Sequence, residues 1–399
     1  MTQTNLTIDM ITNKALMILE NELVITRNVN RSYDDSYAVK GAKIGSALRI
    51  RLPDRATVST SASLAVEDVT ETQVTLTVSD RAQIALSYTT EELTMDIDDF
   101  AERKIKPRMS QIASTIDYNV ASCYKQIYNS VGTPGTTPST SLVLLQAQQK
   151  LNESGSAMRP RYATVNPAAN ASLVEGMKGF FNPTGTISSQ FKSGMMGTGV
   201  LGYDEVAMSQ SIASHTTGAW GTTITSTGTV ATQGQATLPI SFTGSSKTWK
   251  EGDVFTVASV YAVNPQTRVS TGSLQQFVVT ADLTASSTGT LNVAPAMYTS
   301  GALQTIDSFP QASAAVTMLG TASTIYPQNL VYHRDAIAFA TADLLMPRGV
   351  HEAMRKDHNG ISVRIVTQYD INNDRMPTRF DVLYGYKVVR PEMACRIWG

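Results

Sequence analysis

The chain is poor in charge. Lys, Arg, Asp and Glu make up 16% of its 399 residues, against about 25% in an ordinary globular protein. Its 32 basic residues meet 33 acidic ones for a net charge of −1, which excludes a strongly basic binder of nucleic acid. Ser, Thr, Ala and Gln fill the deficit. So few charges fit a surface hidden in contacts with copies of the same chain, and they fit equally an ordinary Ser/Thr-rich β protein. Cysteine is scarce too. Cys123 and Cys395 are the two present, too few for a disulfide framework, and both are read as reduced and buried. The opening MTQTNLTIDM has neither a basic stretch nor an apolar core, which argues against a signal peptide. No apolar run approaches the roughly 18 residues of a membrane-spanning helix.

Signatures of chemistry are also missing. GTGVLG at 197–202 matches G-x-G-x-x-G. A dinucleotide fingerprint must follow a strand and open a helix; here FKSGMM precedes it and the strand-like YDEVAMSQS follows, so it reads as a flexible loop. DINNDR spaces Asp370, Asn372 and Asp374 like a calcium loop. Arg375 stands where that loop needs Gly, Asp381 where it needs Glu, and both flanks alternate with period two, so a hairpin turn is expected. HEAMRKDH places its second His seven residues on, not the four that a zinc protease needs. His215 and His333 complete the histidines, and no nucleophile–His set has local support. The reading is no enzyme, with no catalytic, cofactor-binding or metal residues.

What the chain does have is a sequence of patterned segments. Its length predicts two or three domains at roughly 100–200 residues each. IDMITNKALMILENELVI carries Ile11, Ala15, Leu16, Leu19 and Leu23 at helical spacing. After a polar stretch, ALRIRLP reads as a short strand. TQVTLTVS and AQIALSYT alternate with period two, and Ser79, Asp80 and Arg81 between them suggest a hairpin. Residues 41–90 thus read as a long β excursion. A long helix follows, with Pro107 near the start of its regular part. Met109, Ile112, Ile116, Val120, Cys123 and Ile127 form one apolar stripe on it. LVLLQAQQKLNESG is an amphipathic helix stopped by Gly155, RYATVNP a buried strand, and PAANASLVEGM a further helix.

From Gly221 the texture changes. Strand patterns at LPISF, DVFTVASV, QQFVVTAD and AAVTML are separated by Ser/Thr/Gly turns, which predicts a small barrel or sandwich. WKEGDV opens one of these strands, with Gly252 and Asp253 in the turn. QNLVYHRDAIAFATADLLMP then reads as helix. ISVRIVTQYD and RFDVLYGYKVVR read as two strands joined by an Asn/Asp turn. The β module appears as an insertion within an α+β body.

That order of elements, with WKEGDVFTVASVYAVNPQT, STGSLQQFVVTAD, YPQNLVYHRDAIAFATADL and the ending RFDVLYGYKVVRPEMACRIWG, resembles the major capsid proteins of tailed bacteriophages. These have the Hong-Kong-ninety-seven-type fold, and the resemblance is to the P-twenty-two-type branch with its inserted β-barrel. It implies an N-terminal arm (1–40), an extended E-loop over a neighbouring subunit (41–90) and a peripheral domain with a spine helix (91–138). An axial domain (139–221 and 326–349), an inserted barrel (222–325) and peripheral strands (350–399) complete it. It further implies pentamers and hexamers in an icosahedral shell, assembly in the host bacterial cytoplasm with a scaffolding protein and a portal protein, and packaged double-stranded DNA held without sequence specificity. No cofactor and no membrane are implied. Arg49, Arg51 and Arg55 on the first arm of the excursion, and Glu67, Asp68 and Glu71 near its return, are candidate contacts with a neighbour. A phage fibre or cell-surface adhesin would fit the Ser/Thr-rich strands but not the striped helix. A compartment enclosing protein cargo would fit the same shell architecture.

Overall fold

The computed structural model describes residues 8–32, 47–58, 62, 72–89, 101–176, 194, 196–228, 230–373 and 375–399. The chain forms two compact units, one of residues 1–50, 74–120 and 337–387, the other of residues 51–73, 121–336 and 388–399.

In the first unit, the helix Ile8–Glu22 buries Ile11, Ala15, Leu16 and Leu19, the face that the spacing predicts. The striped helix begins as a π turn, Ala101–Ile105, and continues as a regular helix, Lys106–Ala121. Pro107 sits directly after the π turn, at the second residue of the regular part. Met109, Ile112, Ile116 and Val120 are all buried. Asp117 from the same helix is buried as well, and acts across more than ninety residues of chain. Its carboxylate accepts the N–H groups of Val24 (2.7 Å) and Thr26 (3.0 Å) and the Thr26 hydroxyl (2.6 Å). It thereby satisfies donors that the short helix Ile25–Asn28 leaves open at its N-terminus.

A five-stranded sheet is built around the fourteen-residue strand Arg375–Val388. Ile361–Thr367 pairs on it, and Glu352–His358 pairs on Ile361–Thr367. The predicted hairpin between TQVTLTVS and AQIALSYT does not form. Gln73–Thr77 pairs with Ala47–Arg51, while Asp80–Thr89 pairs along its full length with the tail strand. Asp80 therefore lies in a strand and not in a turn. An isolated two-stranded hairpin is marginal in water, whereas the long tail strand lets Ala82 and Leu86 bury one face. DINNDR closes a turn by mutual backbone bonds between Asp370 and Arg375, of 2.8 and 3.3 Å, as expected; Asp374 lies outside the described residues. HEAMRKDH contributes an edge strand, Glu352–His358.

The second unit holds a sheet whose neighbouring strands are Ser130–Val131, Ala394–Trp398, Ile325–His333, Arg161–Val165, Tyr203–Met208 and Gly197–Val200, with Ser214–Thr216 also on Ile325–His333. GTGVLG is thus the outer strand and turn of a hairpin with Tyr203–Met208, and not a flexible loop. The helix Ser141–Glu153 lays Leu144, Ala147 and Leu151 onto this sheet beside Ala163, Val165, Val331 and Ile397. The helix predicted over QNLVYHRDAIAFATADLLMP is corrected. The segment forms two strands, Ile325–His333 and Ile337–Thr341, around a short 3-10 turn. Gln328 through His333 and Ile337 through Thr341 are all buried. A continuous apolar run with both faces covered has no periodicity to separate strand from helix.

The β module is a closed antiparallel barrel. Its strands run in the order Val316–Met318, Val254–Val263, Ser270–Val279, Thr288–Met297, Gln235–Thr243 and Thr222–Ser226. A bridge between Thr225 and Ala315 closes the ring. Its core is local: Ile224, Leu238, Ile240, Trp249, Phe255, Phe277, Leu291 and Val316 pack together within the module.

Candidate functional site: the root of the inserted barrel

WKEGDV lies where the barrel meets the sheet of its own unit. The Asp253 N–H donates to the Lys250 carbonyl (3.0 Å), and the Gly252 N–H donates to the Val279 carbonyl (2.8 Å). Gly252 has φ +101°. A Cβ there would lie 3.2 Å from His215 Cε1 and 3.3 Å from Tyr124 Cε2. The backbone conformation therefore favours glycine, and the space left for a side chain is tight.

Asp253 is 1% exposed. Its Oδ2 accepts the N–H groups of Lys250 (2.7 Å) and Gly218 (3.2 Å), and its Oδ1 lies 2.8 Å from His215 Nε2. His215 Nδ1 lies in turn 3.2 Å from the Tyr124 hydroxyl. From the sheet, Arg396 Nη1 donates to the Gly252 carbonyl at 2.8 Å. The guanidinium carbon of Arg396 sits 5.7 Å from the Tyr124 ring centre and 5.5 Å from that of Trp398, within reach of cation–π attraction. Burial pushes the Arg396 pKa down to about 10, against the opposing pull of Tyr124 and Asp253. Around this polar knot, Val254 and Val278 of the barrel pack on Tyr128, Tyr326 and Trp398.

A Tyr–His–Asp series has the connectivity of a proton relay, but catalysis needs a substrate within reach. Tyr124, His215 and Asp253 are 3%, 2% and 1% exposed. The arrangement is a lock: it joins four segments of chain and fixes the angle at which the barrel leaves the sheet. Gly252 and Asp253 are the part legible in the sequence. Tyr124, His215 and Arg396 come from segments far apart along the chain and carry no local motif, so the sequence does not point to them as partners.

The candidate contact residues separate. Arg49 and Arg51 are exposed on the strand Ala47–Arg51. Arg55 pairs inside its own chain, its Nη2 lying 3.0 Å from Glu392 Oε1. Glu67, Asp68 and Glu71 lie outside the described residues.

The family model described as P22 coat protein, gene protein 5, matches residues 1–399. The chain belongs to this family. It is a major capsid protein, and its copies form a phage shell. No curated protein matches it. Among solved structures, one of Mycobacterium phage Che8 is similar at 12% identity and a TM-score of 0.48, covering 94% of this chain and 90% of that one. The capsid of Ralstonia phage GP4 is similar at 8% identity and a TM-score of 0.43, over 89% and 83%. The CUS-3 coat protein I-domain is similar at 26% identity and a TM-score of 0.20, over 25% of this chain and 96% of that one.

Proposed function

We propose that this coat protein assembles with a scaffolding protein and a portal protein, in the cytoplasm of a bacterial host, into a closed icosahedral shell. The shell then encloses double-stranded DNA without reading its sequence, and the protein performs no catalysis. The match of the coat-protein family over the whole chain carries this reading. The surface supports it. Leu142, Leu145, Val269 and Ile325 in one unit and Leu345 and Ile371 in the other are exposed in the single chain, and repeated contacts between copies would cover such residues. Near-neutral charge suits a container for DNA, because a strongly basic lining would bind its contents in a salt-dependent way.

The proposed parts are the arm at 1–40, the E-loop at 41–90, the peripheral domain at 91–138 and 350–399, the axial domain at 139–221 and 326–349, and the inserted barrel at 222–325. Exposed Arg49 and Arg51 are proposed to meet a neighbouring copy. Co-expression with the scaffolding protein, followed by electron microscopy, tests the whole. Closed particles tens of nanometres wide (on the order of the size of repeating shell assemblies) are expected. Discrete small oligomers under every scaffold condition would overturn it. Arg49→Glu with Arg51→Glu should leave the fold intact and lower particle yield.

A further inference from the structure

We infer that the inserted barrel clamps the root of the segment between the strands Ala47–Arg51 and Gln73–Thr77, holding residues 55 and 56. The clamp is the hairpin that joins the barrel strands Val254–Val263 and Ser270–Val279. Asn264 closes its tip: the Asn264 N–H donates to the Val269 carbonyl (3.1 Å), the Arg268 N–H donates to the Asn264 carbonyl (2.8 Å), and Asn264 Oδ1 accepts the N–H groups of Gln266 and Thr267. Such a tip calls for Gly or Asn at the position with positive φ. The residue there is Arg268, at φ +56°. An arginine in the left-handed region is disfavoured and needs a reason to stand there. Its side chain supplies one: Arg268 Nη2 donates to the Ala56 carbonyl at 2.8 Å.

The hairpin is braced behind that contact. Asn264 Nδ2 donates to the Glu153 carbonyl at the end of the helix Ser141–Glu153 (3.0 Å), and Lys150 Nζ donates to Ser273 Oγ (3.3 Å). The residue next to Ala56 is held independently, by the ion pair of Arg55 with Glu392. Glu392 lies in the turn Pro391–Met393, and its carbonyl accepts a bond from Asn129 Nδ2 at 3.3 Å. One residue of the root is therefore tied to the barrel and its neighbour to the sheet that carries the barrel. A projection fixed at its root reaches a neighbour with less orientational freedom left to lose. This consequence rests on the shell reading; the clamp itself does not.

Electron paramagnetic resonance on the full-length soluble subunit tests the clamp. Labels go on Val58→Cys, next to the root, and Ala236→Cys, on the exposed side of a barrel strand; the native Cys123 and Cys395 are buried. A single sharp label-to-label distance is expected in the otherwise wild-type chain. Arg268→Gly keeps the tip conformation while removing the contact, and is expected to replace the sharp distance with a broad distribution. Arg55→Glu should broaden it likewise, and adding Glu392→Arg should restore it. A distance that stays sharp in both single variants overturns the clamp, and a charge swap that fails to restore it removes the ion pair from the clamp. Normal particle yield from Arg268→Gly, with the distance broadened, would overturn the assembly consequence alone. A wild-type chain that forms no shells under any condition would count against the shell reading and leave the distance result standing.

Discussion

Asp381 in the first unit and Arg396 in the second are both completely buried charged side chains, and they solve the problem in opposite ways. In the first, Asp381 is surrounded by three guanidinium groups: Arg364 Nη2 at 2.5 Å, Arg379 Nε at 2.7 Å and Arg81 Nη2 at 2.9 Å. The three arginines come from three adjacent strands, so one carboxylate ties the sheet together crosswise. In the second, Arg396 donates one bond to the Gly252 carbonyl and lies between two aromatic rings. Its Nε and Nη2 have no hydrogen-bond partner among the described residues. The carboxylate nearest in kind, Asp253, is taken up by backbone N–H groups and His215. A buried charge strengthens a fold when its partners more than return its desolvation, and otherwise mainly marks a position. Asp381 should therefore be an energetic centre, and Arg396 a positional one.

The largest expected effect tests the first half of that contrast. Asp381→Asn keeps the shape and removes the charge, leaving half-buried Arg364 without its carboxylate while Arg81 and Arg379, 38% and 43% exposed, stay partly solvated. The loss should be about 3 kcal/mol, the lower end of the range for breaking a buried ion pair from one side. Urea unfolding followed by circular dichroism reads it. A loss below about 1 kcal/mol would mean that the arginines are solvated well enough to need no carboxylate.

Acid should reach the same centre. Burial works to raise the Asp381 pKa, but the hydrogen bonds from Arg364, Arg81 and Arg379 outweigh it and hold the pKa below the ordinary carboxylate value. A carboxylate with a depressed folded-state pKa contributes stability that is fully present above its unfolded value of about 3.9. That contribution is lost as pH falls through the folded-state value. The wild-type chain should thus lose stability below about pH 4 more steeply than Asp381→Asn. Equal slopes for the two proteins would remove Asp381 from the list of acid-sensitive groups.

A middle-sized effect is expected at the barrel root. Gly252→Val places a branched side chain at φ +101° against His215 and Tyr124. The backbone strain alone costs about 1–3 kcal/mol. The barrel carries its own core, so it should detach or melt earlier while the striped helix keeps its signal. Calorimetry resolving two transitions in the variant, against a closer-spaced pair in the wild type, is the expected outcome. One unshifted transition would mean that the root does not govern how the barrel is held.

The two regions also differ in how far the sequence discloses them. The helical stripe of Met109, Ile112, Ile116 and Val120 and the period-two strands at 73–77 and 361–367 are local patterns, and each matches the structure. Pairing is not local. Nothing in TQVTLTVS or AQIALSYT says that the second prefers a partner almost three hundred residues away, and Arg81 meets Asp381 only through that pairing. Gln328 through His333 and Ala394–Trp398 lie covered on both faces, which erases the periodicity that distinguishes strand from helix. Thr288–Met297 carries Pro295 inside a strand, a residue that ordinarily argues against a strand interior. At the barrel root, the turn chemistry of Gly252 and Asp253 shows in the sequence. The lock around them is assembled by tertiary structure from Tyr124, His215 and Arg396.

Arg396→Met should give the smallest effect and the sharpest check on the contrast. Methionine follows the stem of the arginine and fits between Tyr124 and Trp398 without a charge to desolvate. The substitution removes one hydrogen bond, to the Gly252 carbonyl, and the attraction to the two rings. It also recovers the burial penalty that drives the Arg396 pKa down to about 10. These terms oppose each other, so the net change should stay within about 1 kcal/mol in either direction. Asp253 keeps its two N–H donors and His215, so the turn itself should hold. What should change is the positioning of the barrel: with the anchor between the sheet and the Gly252 carbonyl gone, the label distance between the barrel and a site on the sheet should broaden at nearly unchanged stability. A destabilisation of about 3 kcal/mol or more, matching Asp381→Asn, would place both buried charges in one class and end the distinction between an energetic centre and a positional one.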